Sequence, residues 1–372
     1  KAIVQADPSR RFVVVSAAGK RDKFDSKITD LLYLVNAHLQ YHVTCDDLLG
    51  TIGQRFCEIA KELNLSYPIS HEFGIFRELA KRGEYTPEYI VSRGEYFTGR
   101  MMAEYLGFPF VDAADVITFR ADSSIDMDKT SEKLKAAIGE EKCFVLPGFY
   151  GATEDGKIKL LDRGGGDITG AIVAQCLGAD LYENWTDVSG FLTADPRIVD
   201  NPKSISRITY AELRELSYMG ASVLHEDAIF PVRIAGIPTN IRNTNHPEEP
   251  GTVICYEAED YESEYPITGI AGHKDFAIIN VEKAMMNSEI GFGRRLLQAL
   301  EEQDISFEHM PSGIDTMCVV VHESTLEGKK EKLVQRIHEL CSPDTVEIHS
   351  GLALIATAWC APRAFPRGCS TR

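Results

Sequence analysis

The stretch KIKLLDRGGGDITGAIVAQCLGADLYENWTDVSGFLTADPRIV, residues 157–199, predicts a strand, a glycine-rich turn, a helix, a second strand and a polar loop. The apolar run Ile158–Leu161 is typical of a strand, and Gly164–Gly166 follow where a backbone turns sharply or approaches a ligand closely. Asp167 comes next, where a helix N-cap is expected, and Gly178 stands where the left-handed residue after a helix is favoured. Because the first amides of a helix lack partners in the helix, this turn predicts an anion site.

The glycine turn by itself leaves two interpretations open, a phosphate site and a tight structural loop. It matches neither of the common glycine-rich phosphate-binding patterns, so its spacing does not decide between them. The second half of the stretch favours a ligand site, because Trp185–Gly190 follows a short strand at the edge where open α/β sheets bind ligands. Asp195–Arg197 then adds a turn that carries a cation.

Four motifs together resemble the aspartate kinase family. They are VSRGE (91–95), RGGGDITG (163–170), WTDVSGFLTADPRIV (185–199) and MGASVLHEDAIFPV (219–232), and the resemblance runs from about residue 3 to about residue 357. It implies an enzyme of the amino-acid-kinase fold that phosphorylates the side-chain carboxylate of L-aspartate to 4-phospho-L-aspartate. It also implies ATP with Mg²⁺ as co-substrate, and a place at the first step of lysine, threonine and methionine biosynthesis.

The composition excludes several classes of partner. A net charge of −17 and a pI of about 5.1 argue against binding to nucleic acid or to an anionic membrane. No apolar run reaches the length of a membrane span, and no signal peptide is visible. The nine cysteines show no metal-site spacing and fall mostly in apolar surroundings. We therefore expect a reduced, cytoplasmic protein.

The order of elements predicts an α/β protein with two domains. Residues 1–256 alternate helices with short apolar strands, which is typical of an α/β/α sandwich with a mostly parallel sheet. An acidic linker follows at 257–266, and 267–350 has the β-α-β-β-α-β order of a ferredoxin-like domain. That order matches the ACT regulatory module, so the resemblance implies feedback regulation and a homodimer formed through ACT domains.

The ends of the sequence carry further expectations. Residues 351–358 are interpreted as the start of a second ACT unit, and 359–372 as a disordered tail. In the family, a strand with a Lys-x-Gly-Gly motif precedes the first helix, and residues 1–372 contain no counterpart. We therefore expect the first domain to lack that strand and these residues to show little kinase activity.

The candidate substrate site is the part of the resemblance with the clearest chemistry. Arg163 can bind a carboxylate in bidentate fashion, and Glu95, which lies near the apolar stripe of a predicted helix, can accept an ammonium group. Ser16 and Thr29 match family positions at the nucleotide and aspartate sites, although from its chemistry alone Thr29 is more typical of a helix cap. The predicted aspartate site therefore comprises Ser16, Thr29, Glu95, Arg163, Gly164, Gly165 and Gly166.

The candidate ATP site rests on the resemblance. Asp167 is suited to orient the ATP phosphates or their metal ion, and we expect Asp167 and Arg163 to be the catalytic residues. Thr186, Asp187 and Arg197 match the nucleotide-binding residues of the family. Leu192 and Ser222 stand at two further nucleotide positions, where many members have Tyr and Lys. A carboxylate acceptor is ionised at pH 7, so the reaction needs no general base.

The predicted effector site lies around the turn Met285–Phe292. The amides at the start of the following helix could hold the carboxylate of an amino acid, and Glu308 could hold a cationic group. On the pattern alone, a core role for the methionines and a solvated Glu308 stay equally open. The family resemblance favours an amino-acid effector, with lysine ahead of threonine. The predicted site comprises Met286, Ser288, Glu289, Phe292 and Glu308.

Two alternative functions stay open at this stage. One is another amino-acid kinase that acts on a different carboxylate or on a carbamate, for which an ACT-like domain would be unexpected. The other is a fragment that binds an amino-acid effector without catalysing a reaction.

Overall fold

The computed structural model describes residues 1–139, 142–161, 164–218, 226–256 and 267–359. These residues form two compact units. Within the described part, the first unit contains residues 1–191, 204–210 and 226–256, and the second contains 192–203, 211–218 and 267–359. Arg163 and Ser222 of the predicted sites lie outside the described residues, as do the linker 257–266 and residues 360–372.

Helices and strands alternate along the first unit, as the sequence predicts. The helices of the whole described chain are α1 Ala2–Gln5, α2 Ile28–Gln40, α3 Asp46–Glu62, α4 Ile69–Lys81, α5 Pro87–Leu106, α6 Ala113–Val116, α7 Met127–Ala137, α8 Gly165–Leu177, α9 Tyr210–Tyr218, α10 Phe230–Ile234, α11 Phe292–Glu301 and α12 Lys330–Cys341. The strands are β1 Phe12–Val15, β2 Thr118–Phe119, β3 Phe144–Pro147, β4 Tyr150–Thr153, β5 Ile158–Leu160, β6 Tyr182–Thr186, β7 Arg207–Thr209, β8 Thr239–Asn243, β9 Thr252–Cys255, β10 Ile267–Glu282, β11 Thr316–His322 and β12 Thr345–Trp359. None of the described helices could cross a membrane, given their length and polarity.

Strand pairing in the first unit is mostly parallel, which confirms the predicted fold class. Parallel pairs join β1 to β3, β2 to β4, β6 to β8 and β7 to β9. The two antiparallel pairs join β5 to β4 and β9 to β8. Parallel neighbours need a crossover, and the intervening helices supply it.

A helical layer packs beside the paired strands β1 and β3. Its core is built from α2, α3, α4 and α5 and includes the mutually contacting rings of Phe56, Phe73, Phe76 and Phe97. Helix α5 begins as its sequence predicts, since the Thr86 side chain accepts a hydrogen bond from the Tyr89 amide and Pro87 follows the cap. This layer positions the middle of α5 next to the end of β1.

Residues 267–359 of the second unit form a three-stranded antiparallel sheet, in the strand order β11-β10-β12, with the helices α11 and α12. Its core lies between the sheet and α11 and α12. The β-α-β-β-α-β order predicts a strand between α11 and β11, at residues 305–309. These residues form one bridge, His309 to Val320, and no regular strand. Residues 351–358, which the sequence assigns to a second ACT unit, continue β12 and pair with the first half of β10.

Candidate active site

A cavity of about 200 Å³ lies in the first unit, where β1 ends and α8 begins. It brings together residues that are far apart in the sequence. Its lining consists of Ser16, Thr29, Glu95, Phe149, Gly164, Gly165, Gly166 and Asp167. All of these except Phe149 are among the residues that the sequence predicts, although no described lining residue is a Lys or Arg.

The start of α8 differs from the prediction by three residues. Its N-cap is Gly164, whose φ of +79° is the left-handed conformation that glycine adopts without strain. Asp167 is therefore the third residue of the helix and not its cap, and its side chain forms no capping hydrogen bond. A carboxylate in the first turn is nevertheless favoured by the helix dipole. The amides of the first turn have no partner within the helix, as an anion site requires.

The glycine turn fits tightly against the ends of β1 and β3. A Cβ atom on Gly165 would lie 2.5 Å from Cδ2 of Phe149, and one on Gly166 would lie 2.8 Å from Oγ of Ser16. Phe149 has a φ of +75°, and its amide donates a hydrogen bond of 3.0 Å to Oγ1 of Thr169 on α8. Backbone conformation therefore favours glycine at position 164, and close approach favours it at positions 165 and 166.

We expect Gly165→Ala to destabilise this turn. The added Cβ would also lie 3.0 Å from the Cα atom of Phe149, so relief requires a backbone shift that overpacking data put at about 1–3 kcal/mol. The free energy of unfolding should fall by that amount, and activity should fall with it. Gly74→Ala on α4 is the matched control, because nothing lies within 4 Å of its Cβ position. Thermal unfolding checks both variants, and equal melting temperatures would contradict the assignment.

Glu95 is a buried carboxylate with incomplete hydrogen bonding. Its residue is 5% exposed, and among the described residues its Oε2 atom has no hydrogen-bond partner. Burial raises the pKa of Glu95 to about 7, although backbone amides at Glu95 and Ala17 and the charge of Arg93 favour the ionised form. A cation that enters the cavity would stabilise this carboxylate, because it offsets the cost of burying the charge.

Asp167 is a second acidic residue of the cavity lining. Burial raises the pKa of Asp167, and a hydrogen bond from the side-chain amide of Asn184 to Oδ1, 2.8 Å long, acts in the other direction. Ser16 follows β1 directly, and Thr29 is the second residue of α2. The N-cap of α2 is Lys27, and no side chain caps that helix, so the capping role that chemistry alone favours for Thr29 is not observed.

The predicted nucleotide residues fall in different parts of the structure. Thr186 ends β6, and its hydroxyl donates to the Asp187 carboxylate at 3.2 Å. Leu192 and Arg197 belong to the second unit. The Arg197 guanidinium binds both carboxylate oxygens of Asp195, with a shortest distance of 2.6 Å. This pair is solvent-exposed on the Arg197 side, so its electrostatic contribution to stability is small.

Residues of the predicted effector site are mostly engaged within the second unit. Met286 and Phe292 are 3% and 2% exposed in its core, whereas Met285 is 70% exposed, so the core interpretation of the methionines holds for Met286 alone. The Ser288 hydroxyl donates to the Met285 carbonyl at 2.7 Å. The effector cluster has two acidic members. Glu289 forms ion pairs with Lys283 and Arg295, whereas Glu308 is half-buried and its backbone amide pairs with Val320.

Sequence reasoning missed two residues of this region, Phe149 and Asn184. For Phe149, the segment Pro147–Gly151 with its two glycines was a turn signal, but nothing in it indicated which side chain reaches the cavity. For Asn184, the signal was a polar residue in the middle of the short strand β6.

Comparison with known proteins identifies the family of this chain. Residues 1–243 match the model of the amino acid kinase family. Aspartokinase 3 of Bacillus subtilis is 36% identical over 95% of this chain and 80% of its own length. The crystal structure of Clostridium acetobutylicum aspartate kinase is 48% identical with a TM-score of 0.85, over 96% of this chain and 81% of that one.

A more distant solved structure shows the same fold. Escherichia coli aspartokinase III, solved in complex with lysine and aspartate, is 24% identical with a TM-score of 0.65, over 96% of this chain and 82% of that one. The family model covers more than half of the chain, and the Bacillus relative matches nearly all of it. The chain therefore belongs to the amino acid kinase family and, within it, to the aspartate kinases.

Proposed function

We propose that this chain transfers the γ-phosphoryl group of ATP to the side-chain carboxylate of L-aspartate, giving ADP and 4-phospho-L-aspartate. One observation carries the proposal: a single cavity combines a buried carboxylate, whose Oε2 atom has no hydrogen-bond partner in the described part of the chain, with a glycine turn at a helix N-terminus. The first feature suits an ammonium group and the second suits a phosphate. An amino acid in this cavity would place its ammonium group at the carboxylate, and a nucleotide would place its phosphates at the glycine turn.

The amino-acid end of the reaction is assigned to Glu95 and Arg163. Glu95 accepts the α-ammonium group of aspartate, because its Oε2 atom is buried and lacks a partner among the described residues. Arg163, which directly precedes the glycine turn in the sequence, binds the α-carboxylate. Ser16 and Thr29 complete the lining and offer hydroxyl groups to the substrate.

The phosphate end is assigned to the glycine turn and Asp167. The amides of the first turn of α8 stabilise negative charge on the transferring group, and Asp167 orients the phosphates. The proposed nucleotide residues are Thr186, Asp187, Leu192, Arg197 and Ser222. Mg²⁺ bound to ATP would neutralise charge on the phosphate oxygens. Because the attacking carboxylate is already ionised, these residues position the substrates and neutralise charge, and none of them needs to remove a proton.

An ATP-dependent hydroxamate assay tests this function directly. The assay uses protein that includes the Lys-x-Gly-Gly strand of the family, because residues 1–372 alone are expected to show little activity. Hydroxylamine traps an acyl phosphate, so product should form with L-aspartate and ATP together and with neither alone. L-Glutamate is the matched control substrate, because it differs from aspartate by one methylene. A preference for glutamate would favour the other amino-acid kinase, and no product with either substrate would count against the function.

Aspartate binding should depend on pH through Glu95. The ammonium group needs the ionised form of Glu95, whose pKa burial raises to about 7, so binding is strong above that pH and weakens below it. We expect the KM for aspartate to rise about tenfold between pH 8 and pH 6, because a group with a pKa of about 7 is about 90% ionised at pH 8 and about 10% ionised at pH 6. Initial rates between pH 6 and 8 measure this, with Glu95→Gln as the control that should show no such trend. A KM that is flat over this range in the unmodified protein would contradict it.

We also propose that residues 267–350 of the second unit form an ACT domain. This domain would bind an amino-acid effector and pair with the same domain of a second copy of the chain. Lysine is favoured over threonine because Glu308 is half-buried and its carboxylate could take a cationic group. Calorimetric titration of lysine and threonine, with Glu308→Ala as the variant, tests this. Lysine binding that survives the substitution would remove Glu308 from the site. For the cellular location we propose the cytoplasm, because the seven described cysteines are thiols and not disulfides.

A further inference from the structure

Strand β6 presents two polar side chains to the start of α8. Side chains alternate between the faces of a strand, so Tyr182 and Asn184 point to one side, and Glu183 points to the other. The Tyr182 hydroxyl donates to the backbone carbonyl of Asp167 at 3.2 Å, and the Asn184 amide donates to Oδ1 of Asp167 at 2.8 Å. One residue of α8 is therefore held by both its backbone and its side chain.

A glycine on α8 allows the helix to approach strand β6 closely. A Cβ atom on Gly170 would lie 2.8 Å from both the hydroxyl and Cε2 of Tyr182, so the helix can approach the strand this closely only with glycine there. Gly170 stands three residues after Asp167 and therefore on the same side of the helix. The Asn184 amide also donates to the Tyr182 hydroxyl at 3.1 Å, which joins the three groups into one network.

The protonation states suit this arrangement. Burial raises the pKa of the Tyr182 hydroxyl, so Tyr182 stays protonated and can donate. Asn184 is 9% exposed, so water does not readily replace its amide. Among the described residues, the hydrogen bonds to the Asp167 carboxylate come from Asn184 alone. The orientation of this carboxylate therefore depends on one amide.

We propose that Asn184 is a positioning residue for phosphoryl transfer, which holds the Asp167 carboxylate in the orientation that the reaction requires. The inference rests on the proposed function, since it takes its importance from Asp167. Asn184 itself touches neither substrate: it acts through Asp167, with Tyr182 as a support. A displaced catalytic group lowers the rate of the chemical step more than it lowers the affinity for substrate.

The test compares two buried asparagines on neighbouring strands. Asn184→Leu keeps the approximate size of the side chain and removes the donor. Asn240→Leu is the matched control, because Asn240 is 8% exposed on β8 and pairs with Glu183, on the other face of the sheet. In the hydroxamate assay we expect Asn184→Leu to lower kcat at least roughly tenfold, with the KM for aspartate changed less than about threefold. The control should keep kcat within about threefold of the unmodified protein.

Other results would overturn the proposal. An unchanged kcat in Asn184→Leu would do so, and so would an equal loss of kcat in Asn240→Leu. If Asn184→Leu fails to fold, Asn184→Asp decides, because it keeps the shape and faces Asp167 with a second carboxylate. It should show the same fall in kcat, and a normal kcat would refute the role.

A second readout separates this proposal from the proposed function. If the unmodified protein forms no product, the function fails, but the contact can still be measured by NMR. The carboxyl ¹³C signal of Asp167, identified by its loss in Asp167→Asn, should titrate at higher pH in Asn184→Leu, because the lost donor favours the ionised form. An unchanged titration midpoint would show that Asn184 does not hold this carboxylate.

Discussion

Replacing Glu95 by alanine is expected to raise the KM for aspartate at least tenfold. Truncating one partner of a buried, hydrogen-bonded charge pair costs about 2–5 kcal/mol, and every 1.4 kcal/mol corresponds to about a factor of ten. Glu95 meets the conditions for an effect of this size, since it is buried and its Oε2 atom lacks a partner among the described residues. Steady-state rates at saturating ATP measure the KM.

Two further variants make this result specific. Glu95→Gln keeps the shape and removes the charge, so it should also raise the KM while its melting temperature stays close to that of the unmodified protein. Glu88→Ala removes an acidic residue from the first turn of the same helix and should leave the KM unchanged. An unaltered KM in Glu95→Ala would end the assignment of Glu95 to the ammonium group.

Replacing Asp167 by alanine should lower kcat by roughly 10²-fold or more, the loss seen when one preorganised electrostatic group is removed from a site of charge transfer. Asp167 lies in the cavity lining, in the first turn of α8, where it can act on the phosphates. The KM for aspartate should change little, because the binding of that substrate is assigned to Glu95 and Arg163. The hydroxamate assay gives both constants.

A surface aspartate provides the control for this substitution. Asp155 lies in the turn after β4 and pairs with the exposed Lys157, so Asp155→Ala should keep kcat. A similar kcat in Asp167→Ala and the unmodified protein would refute the assignment. A large rise in the KM for aspartate, with kcat maintained, would move Asp167 to the amino-acid end of the site.

Glu95 and Asp167 show what could be predicted from the sequence motifs alone. Glu95 was identified from a carboxylate close to an apolar helical stripe, and Asp167 from its place after three glycines. Both lie in the cavity with the glycine turn. The N-cap of α8 was assigned wrongly, because a residue in the left-handed conformation at that position, Gly164, was not apparent from local preferences.

In the second unit, the sequence predicted the order of elements better than the lengths of the strands. The order of its helices and strands followed from apolar periodicity, yet residues 305–309 form one bridge and β12 runs from Thr345 to Trp359 without a break. Strand length depends on which partner is available for pairing, and β10 provides a long one.

The sequence by itself determined the fold class, the glycine turn, the beginning of α5 and the family, because each depends on local spacing or on motifs in order. Only the tertiary structure decided which side chains meet. The pKa of Glu95 is raised because α2, α5 and the end of β1 enclose it, and the amide of Asn184 reaches Asp167 because Gly170 lets α8 approach Tyr182. Desolvation and hydrogen bonding act across space, between residues that no periodicity connects.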